Sequence, residues 1–520
     1  MARHANYDVI ILGAGHNALT AGALLARAGM RTLLLERLDR VGGAAVSARA
    51  FPGRPVQLSR YSYLVSLMPE ELMAELELDV ELRSRSVSSY TPYLHPDGRP
   101  DGLLVEHEAG PATAESFRRL TGGDDEYASW QRFYADVAEL AAVLAPTLLR
   151  PLPRRADIAT QVPLQIWGDL ITQPIGVTIR DRFTHDLVRG VVATDALIGT
   201  FADLNSSSLI PNRCFLYHLI GNATGEWRVP VGGMGAVTGA LHRAAVTAGA
   251  ELETGARVER VLPGPDEVEV QWQSDGVRHS ARAPYVLSGV APWTLAGLLD
   301  EPAPPRPEGA QLKINFLLDR LPRLRADVDP DTAFAGTLHL AEQFSGLQQA
   351  YSEASRGVLP THLPGEVYCH SLTDPSILNG DPGHTLTYFG LHTPATLLDV
   401  DGAKEEAVAR AIAVLDSHLA QPLLSCVARD ENGALCIEAK TPSEIESDLA
   451  MPGGHIFHGD LAWPWADDTD PLDTPADRWG VATAHPRILV CGSGARRGGA
   501  VSGLGGHNAA RAVLAETAGH

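Results

Sequence analysis

A glycine-rich turn directly after a short apolar run constrains the fold of this chain more than any other feature. Residues 7–12 are predicted to form a buried parallel strand, and residues 13–18 (GAGHNA) follow as a G-x-G-x-x-A motif at a helix start. The first glycine permits a tight turn, the second lets the backbone approach a pyrophosphate, and Ala18 keeps helix and strand close. Free N–H groups at the helix N-terminus favour phosphate. The motif therefore predicts a Rossmann-type dinucleotide site.

The strand that follows ends in a carboxylate suited to the ribose of such a nucleotide. A helix-like stretch over residues 18–28 and an apolar run over residues 32–35 complete a β-α-β unit. Glu36 closes this second strand, where a carboxylate accepts hydrogen bonds from the ribose hydroxyls and disfavours a 2′-phosphate. A solvated strand end is the alternative interpretation of Glu36. NAD and FAD both remain open at this point.

Two further glycine clusters favour FAD. Gly42 and Gly43 would let a second loop pass close beside the pyrophosphate, which an NAD-binding Rossmann unit does not need. Far away in the chain, an apolar run over residues 488–491 leads into a glycine-rich turn over residues 492–506 and a predicted helix. A flavin is long enough to need this second cradle for its isoalloxazine end. An ordinary strand-to-helix connection would not require so many glycines.

Composition and charge exclude several other classes of protein. With 520 residues, 45% of them hydrophobic and 20% charged, we expect a globular protein of two intertwined domains. The net charge of −21 argues against nucleic acid and anionic membranes as partners. The five dispersed cysteines, without C-x-x-C spacing, argue against a disulfide framework, a zinc site and a dithiol redox centre. We expect a cytoplasmic protein without a metal, a signal peptide or a transmembrane segment.

The chain resembles the phytoene desaturase-like (carotenoid oxidoreductase) flavoproteins of the amine oxidase superfamily, and within them the pyridine nucleotide-disulfide oxidoreductase domain-containing protein 2 family. The resemblance covers nearly the whole chain. It rests on six sequence segments, which are residues 8–19 (DVIILGAGHNAL), 41–46 (VGGAAV), 59–67 (SRYSYLVSL), 230–236 (PVGGMGA), 454–459 (GHIFHG) and 491–510. It implies an α/β fold, with a Rossmann-like FAD-binding domain and an α+β substrate-binding domain that are both discontinuous in sequence.

The resemblance also implies which residues hold FAD. They are Gly13, Gly15, His16, Asn17, Ala18, Glu36, Arg37, Gly42, Gly43, Ala44, Val258, Gly492, Ser493, Gly499, Val501 and Gly503. No histidine or cysteine stands in a recognisable attachment context, so noncovalent FAD is expected. We expect the FAD-binding domain to comprise residues 1–80, 225–300 and 480–520. Residues 81–224 and 301–479 would form the substrate-binding domain, with a helical portion around residues 110–200.

Two side chains inside unusual local sequences are candidates for the chemistry. Lys313 interrupts a predicted apolar strand over residues 312–318 in a chain with only three lysines. In amine oxidases a lysine on a comparable strand hydrogen-bonds through water to flavin N5, and the resemblance implies that role for Lys313. A lysine on the polar face of an alternating strand is the alternative. His458 lies on a glycine-flanked loop and could act as a general base or bind a polar substrate, with a structural loop histidine as the alternative.

A third candidate is the arginine pair at Arg496 and Arg497, where members of the family usually carry His-Pro. One of the two could steady the reduced flavin or bind a substrate carboxylate, and a surface-exposed pair is the alternative. Trp463 and Trp465 either wall the substrate cavity or pack in the core. Weaker candidates for the flavin environment are His16, Tyr61 and Tyr63.

The predicted reaction is removal of a hydride and a proton from a C–C or C–N bond of a small or lipophilic metabolite, with the hydride passing to flavin N5. The acidic charge and the arginine pair favour a small, partly polar metabolite. A carotenoid-like substrate would require peripheral membrane contact, for which residues 136–152 are the candidate, although a core helix is the preferred interpretation. Amine oxidase-type oxidation with oxygen as acceptor and a non-catalytic flavoprotein scaffold are the alternatives. The acceptor and formation of a homodimer remain open.

Overall fold

The computed structural model describes residues 7–518, which form a mixed α/β fold. The strands are β1 (Val9–Leu12), β2 (Thr32–Leu35), β3 (Ser47–Ala48), β4 (Leu58–Ser59), β5 (Leu82–Arg83), β6 (Val87–Leu94), β7 (Pro100–Glu106), β8 (Val229–Pro230), β9 (Glu251–Glu253), β10 (Arg257–Pro263), β11 (Val268–Ser274), β12 (Val277–Ala283), β13 (Tyr285–Ser288), β14 (Leu312–Leu318), β15 (Thr337–Leu340), β16 (Gly365–Tyr368), β17 (His384–Gly390), β18 (Ile437–Lys440) and β19 (Ile488–Val490).

Helices lie between and around these strands. They are α1 (His16–Arg27), α2 (Glu70–Glu75), α3 (Pro111–Thr121), α4 (Asp125–Leu144), α5 (Arg155–Ala159), α6 (Leu164–Trp167), α7 (Ile175–Arg182), α8 (Asp186–Thr194), α9 (Ile210–Leu219), α10 (Met234–Thr247), α11 (Pro292–Leu299), α12 (Pro330–Ala333), α13 (Phe344–Ala354), α14 (His370–Thr373), α15 (Ala395–Leu398), α16 (Ala403–Asp416), α17 (Pro442–Leu449), α18 (Pro475–Trp479) and α19 (Leu504–Thr517). Short 3-10 and π turns extend some of them.

A parallel sheet with the order β19-β13-β1-β2-β9 forms one half of the molecule. Every residue of β1, β2 and β13 is buried, as expected for parallel strands that are covered on both faces. The first and the last strand of this sheet are almost 480 residues apart in sequence. The predicted Rossmann-like domain is therefore confirmed, including the return of the C-terminal strand to it.

A mixed sheet with the order β18-β14-β17-β16-β15-β6-β7 forms the other half. Its strands come from residues 87–106 and 312–440, which fall inside the two segments predicted for the substrate-binding domain. It has a core of its own, built around Ile314, Phe316 and Leu386. The two-sheet architecture thus matches the predicted fold class, while the domain boundaries remain a prediction.

The third sheet is antiparallel, with the order β10-β11-β12. β10 pairs with β11, and β12 pairs with β11 along its whole length. β12 carries exposed Arg278 and Arg282 and has few buried positions, so its sequence shows little apolar alternation. Its hydrogen-bonding to β11 is what makes it a strand.

Helices α3 to α8 lie in the region of residues 110–200, for which a helical portion is predicted. The segment 136–152, considered above for membrane contact, packs inward: Leu140, Leu144 and Leu148 are 2%, 0% and 2% exposed. The interpretation as a core helix is therefore confirmed. No helix in the described part of the chain is long and apolar enough to cross a membrane.

Candidate functional site

One cavity of about 770 Å³ is lined by residues from both large sheets. This volume is typical of a cofactor or ligand pocket. At one end, which we call the nucleotide end, lie residues 12–18, 35–38, 43–44 and 256–258. At the other end, which we call the inner chamber, lie Tyr63, Arg85, Asp195, His339, Glu366 and Tyr368. Lys313 and His458 also line the cavity.

Backbone atoms shape the nucleotide end. Gly13 has φ +90°, which an L side chain rarely adopts, and its N–H donates to the Leu35 carbonyl at 2.8 Å. The Gly42 N–H donates to the Ala14 carbonyl at 2.8 Å, and a Cβ on Gly43 would lie 3.3 Å from the Gly15 Cα. The loop with the glycine pair therefore passes directly beside the first turn, as the sequence predicts.

Glu36 lies at the end of β2 and lines the cavity. Its Oε2 accepts a hydrogen bond from the Ala14 N–H at 2.8 Å, and its Oε1 accepts one from the Leu38 N–H at 2.9 Å. These bonds hold the carboxylate beside the glycine turn. Arg37 also lines the cavity and donates through Nη2 to the Asp448 carbonyl.

The C-terminal glycine-rich turn closes onto the start of α1. Asn17 Nδ2 donates to the Gly498 carbonyl at 3.1 Å, and His16 Nε2 hydrogen-bonds the Ala500 carbonyl at 2.9 Å. A Cβ on Gly506 would lie only 1.8 Å from the Asn17 carbonyl oxygen, so α19 can pack this closely on α1 only with glycine there. The two ends of the described chain thus meet at one cavity.

The residues implied to bind FAD divide into two groups. Those that line the cavity are Gly13, Gly15, His16, Asn17, Ala18, Glu36, Arg37, Gly43, Ala44, Val258, Gly492, Ser493 and Val501. Gly42, Gly499 and Gly503 do not line it; a Cβ on them would meet the Val46, Leu461 and Leu72 side chains respectively. These three shape the backbone behind the cavity wall.

Lys313 is buried in a strand with no exposed residue. It is 1% exposed, so the alternative of a lysine on the polar face of an alternating strand is wrong. Its Nζ donates to the Ser59 carbonyl at 2.9 Å and to the Tyr61 carbonyl at 2.7 Å. The same atom lies 4.6 Å from the centroid of the Tyr63 ring. Burial lowers the pKa of Lys313 well below its usual value, which favours the neutral amine.

The two histidines of the predicted loop differ in their surroundings. His455 Nδ1 accepts hydrogen bonds from the backbone N–H groups of Phe457 and Gly459, so it shapes the loop. His458 lines the cavity in a left-handed conformation with φ +62°, and its Nδ1 is buried without a partner in residues 7–518. Burial lowers the pKa of His458 to about 4, which keeps the imidazole neutral. Only His458 of the pair faces the cavity.

The arginine pair lies outside the cavity lining. Arg496 pairs with Asp470 at 3.0 Å. Arg497 is 1% exposed and donates from Nη1 to the Thr147 and Arg150 carbonyls at 2.8 Å. A catalytic role for Arg496 remains a prediction that this placement does not favour, and the expectation of a surface-exposed pair is wrong for Arg497.

Trp463 and Trp465 stack on each other with ring centroids 4.9 Å apart and do not line the cavity. The interpretation of these tryptophans as cavity walls is therefore corrected. Trp465 is 1% exposed and belongs to the main core, with Trp463 packed against it. Both tryptophans follow the His458 loop closely in sequence, which suggested that they lie near the site. The Trp465 ring instead packs against Trp167 in the core.

The inner chamber contains ionisable residues that the sequence analysis missed. His339 in β15 and Glu366 in β16 are directly paired across the sheet, with Nδ1 and Oε1 3.9 Å apart. Burial together with the neighbouring Glu342 raises the pKa of Glu366 to about 8, and burial raises the pKa of Asp195 to about 7. Polar residues inside apolar strands, the pattern that singled out Lys313, could have indicated His339 and Glu366. No comparable pattern marks Asp195.

We also considered cysteine chemistry and metal binding. The five cysteines carry free, buried thiols. Within residues 7–518 no cluster of three or more histidine, cysteine or carboxylate side chains is arranged to hold a metal ion.

Comparisons with known proteins agree with this geometry. Residues 11–69 match the family model described as NAD(P)-binding Rossmann-like domain. The pyridine nucleotide-disulfide oxidoreductase domain-containing protein 2 of Mus musculus is 28% identical over 98% of this chain and 93% of its own length. The hydroxyneurosporene desaturase of Rhodobacter capsulatus is 28% identical over 49% of this chain and 51% of its own length.

Among solved structures, putrescine oxidase bound to putrescine has the same fold, with a TM-score of 0.57 and 16% identity over 99% of this chain and 100% of that one. Fold, glycine cradle and relatives together define a protein with a Rossmann-type dinucleotide-binding domain that is similar to desaturases and to disulfide oxidoreductase domain-containing proteins. The protein of Mycobacterium tuberculosis named uncharacterized protein Rv0897c is 50% identical over 98% of this chain and 97% of its own length. The chain belongs to the family of that protein.

Proposed function

We propose that the protein binds FAD noncovalently and uses it to take a hydride and a proton from a C–C or C–N bond of a small, partly polar metabolite. One observation carries this proposal: a single cavity joins a glycine-shaped nucleotide end to an inner chamber of ionisable side chains. A cofactor site alone would not need the chamber. A hydrocarbon substrate would not need its charged groups, because burying them unpaired is costly.

The residues at the nucleotide end fit FAD. The tight turn at Gly13, the free N–H groups of α1 and the Glu36 carboxylate suit the pyrophosphate and a ribose. Asn17 Oδ1 is buried beside them with no hydrogen-bond partner in the described part of the chain, so a polar ligand group would satisfy it. None of the five cysteines lines the cavity, which supports noncovalent binding because a cysteinyl linkage would lack its thiol.

Lys313 is the residue that we assign to the reacting end of the cofactor. FAD, when bound, supplies the acceptor for the hydride. Lys313 Nζ already donates two hydrogen bonds to backbone carbonyls, which leaves the lone pair of the neutral amine to accept a hydrogen bond from a water molecule or ligand in the cavity. Held in this way, the amine can orient a water molecule near the chemistry. The neutral imidazole of His458 offers a second hydrogen-bonding position through its unpartnered Nδ1.

Asp195 is the residue that we assign to the substrate proton. It lies at the C-terminal end of α8, where the helix dipole disfavours a negative charge, and no hydrogen bond links its carboxyl group to another described residue. With a pKa raised to about 7 by burial, the carboxylate form can accept a proton near neutral pH. His339 and Glu366 of the same chamber can pass that proton on.

Oxidation of a C–N bond with oxygen as acceptor is the second candidate, and the buried Lys313 favours it. Both candidates are tested by mixing the oxygen-free, FAD-loaded protein with panels of amines, amino acids, hydroxy acids and polyene hydrocarbons. We expect a polar compound to bleach the flavin absorbance. Hydrogen peroxide release on admitting air then separates an oxidase from a dehydrogenase. Bleaching by the hydrocarbons alone would contradict a polar substrate, and no bleaching by any compound would favour a non-catalytic scaffold.

A further inference from the structure

We propose that Arg85 binds the carboxylate of the substrate, which makes the substrate an organic acid. This inference rests on the proposed function and deepens it, because it assigns a chemical class to the ligand of the inner chamber. It also moves the predicted carboxylate-binding role from the pair Arg496 and Arg497 to an arginine far away in the sequence.

Arg85 faces the cavity with most of its hydrogen-bonding capacity unused. Its side chain lines the cavity, and its one hydrogen bond within residues 7–518 runs from Nη1 to the Thr337 hydroxyl at 2.9 Å. No carboxylate oxygen of the described residues lies within 4.0 Å of it. A guanidinium group has five N–H donors in a planar fork that matches a carboxylate. Arg85 therefore offers an unfilled bidentate site.

The other two arginines that line the cavity, Arg37 and Arg257, are exposed and lie at its nucleotide end. Arg60 forms an ion pair with Glu438, and Arg496 forms one with Asp470. Arg497 donates to three backbone carbonyls through its two Nη atoms, and it does not line the cavity. Burial lowers the pKa of the Arg85 guanidinium, which shows that its charge is poorly solvated where it stands. An anionic ligand would supply the missing counter-charge.

The nearest acidic groups do not fill that role at neutral pH. Glu366 accepts a hydrogen bond from the Tyr368 hydroxyl, and its pKa of about 8 keeps it mainly protonated. The pKa of Asp195 is raised to about 7, so it is only partly ionised. Glu342 Oε2 lies 2.5 Å from His339 Nδ1 and hydrogen-bonds it. Glu226 also lines the cavity and stabilises the charge of Arg85, but neither of its oxygens lies within 4.0 Å of the guanidinium group, so the bidentate position of Arg85 stays open.

Aromatic rings connect Arg85 with Lys313, the residue assigned above to the reacting end of the cofactor. The Arg85 Cζ lies 6.0 Å from the centroid of Tyr368, and the Tyr368 and Tyr63 centroids are 4.8 Å apart. Lys313 Nζ lies over the far ring, Tyr63. An acid held by Arg85 would extend along these rings towards Lys313. Asp195, in the same chamber, could accept a hydrogen bond from an amino or hydroxyl group of that acid.

The test uses small acids and their uncharged amides as probes of the FAD-loaded protein. Benzoate and acetate are titrated against benzamide and acetamide, and binding is followed through the shift of the flavin absorbance bands. We expect at least one acid to bind at least about 10-fold more tightly than its amide, the factor for one charge-assisted hydrogen bond. Equal binding of acid and amide, or no binding of either acid, would overturn the proposal.

Variants assign the preference to Arg85. R85Q is expected to weaken binding of the acid by about 30-fold or more while amide binding stays unchanged, and R85K should retain part of the preference. The control is R83Q, since Arg83 is half-exposed, pairs with Glu81 and does not line the cavity. Preserved acid binding in R85Q would refute the assignment. If R85Q loses flavin, the comparison is made with R85K.

The outcome is distinguishable from failure of the proposed function. A protein that does not bind FAD would contradict the proposed function itself. A protein that binds FAD and is reduced by an uncharged substrate, but discriminates no acid from its amide, would contradict only the role of Arg85.

Discussion

The nucleotide end and the inner chamber of the cavity are built in opposite ways. The nucleotide end consists of contiguous backbone segments whose glycines allow close approach, such as Gly13 beside β1 and Gly43 beside Gly15. The inner chamber consists of single side chains from separate elements, such as Arg85 before β6, Asp195 after α8 and His339 in β15. Under the proposed function, the nucleotide end would bind a common cofactor through its shape, and the inner chamber would select a particular substrate through its charge.

This difference indicates which part of the cavity we expect to determine substrate specificity. Backbone geometry at the nucleotide end tolerates little change, because Gly13 has a positive φ and because a Cβ added to Gly492 or Gly506 meets other backbone atoms. Side chains of the inner chamber can be exchanged without moving the backbone. We therefore expect substitutions at the nucleotide end to act on folding and FAD binding, and substitutions in the chamber to act on substrate and pH.

The largest effect is expected for Gly506→Val, which tests the rigid side of the comparison. Its Cβ would lie 1.8 Å from the Asn17 carbonyl, so α19 must separate from α1. We expect a loss of about 3 kcal/mol or more in the free energy of unfolding, together with loss of bound flavin. The control is Gly297→Ala, another helix position with nothing within 4 Å of the added Cβ. A stable, yellow Gly506→Val protein would break the account of the converging chain ends.

The pH dependence of stability tests the chamber. Because burial raises the pKa of Asp195 from 3.8 to about 7, the folded state binds more protons than the unfolded state between these values. Stability contributed by this group therefore falls as the pH rises through that window. Asp195→Asn should remove this pH dependence. The free energy of unfolding of the variant, relative to that of wild type, should therefore rise between pH 4 and pH 8 by on the order of 2–4 kcal/mol.

Unfolding free energies of both proteins at pH 4, 6 and 8 measure this effect. Asp203 is the matched control: burial opposes its ionisation, but hydrogen bonds from Gln348 and Asn205 lower its pKa overall. The difference between Asp203→Asn and wild type should accordingly stay nearly constant from pH 4 to pH 8, because the stability linked to a lowered carboxyl pKa changes below about pH 4. A constant difference between Asp195→Asn and wild type would show that the Asp195 carboxyl is not buried in this way.

Lys313→Met sharpens the comparison at the boundary between the two ends. The substitution keeps the length of the side chain and removes the amine, so the fold and the flavin content should persist. We expect the rate of flavin reduction or reoxidation to fall by about 100-fold, which is typical for a group that positions a proton or water. Stopped-flow absorbance measures both rates. Unchanged rates in both directions would limit Lys313 to its bonds with the Ser59 and Tyr61 carbonyls.

The smallest effect is expected for Arg496→Ala. Its ion pair with Asp470 is partly exposed, and such pairs contribute about 0–1 kcal/mol. Flavin content, reduction rate and the acid preference should stay at wild-type levels, because the side chain lies outside the cavity lining. A large drop in the reduction rate with unchanged stability would restore Arg496 as a catalytic residue.

The nucleotide end could be predicted from sequence because its information is local. The spacing from Gly13 to Glu36 indicates one β-α-β unit, and the glycines after residue 491 indicate a second cradle. Lys313 could also be identified from the sequence as a candidate site residue, because a lysine within an apolar run is unusual. Arg85 was not, because nothing in its neighbours indicates that the chain turns its side chain into a cavity. Arg497 was misjudged since its left-handed backbone, with φ +69°, directs the side chain inwards.

The central claim is that chain segments near the two ends of the sequence enclose one noncovalently bound FAD. Its most direct test is the absorbance spectrum of the purified protein before and after denaturation, with the released cofactor identified by mass. We predict flavin bands corresponding to about one FAD per chain and release of all of the flavin as intact FAD. A colourless protein that takes up no flavin when FAD is added would contradict the claim.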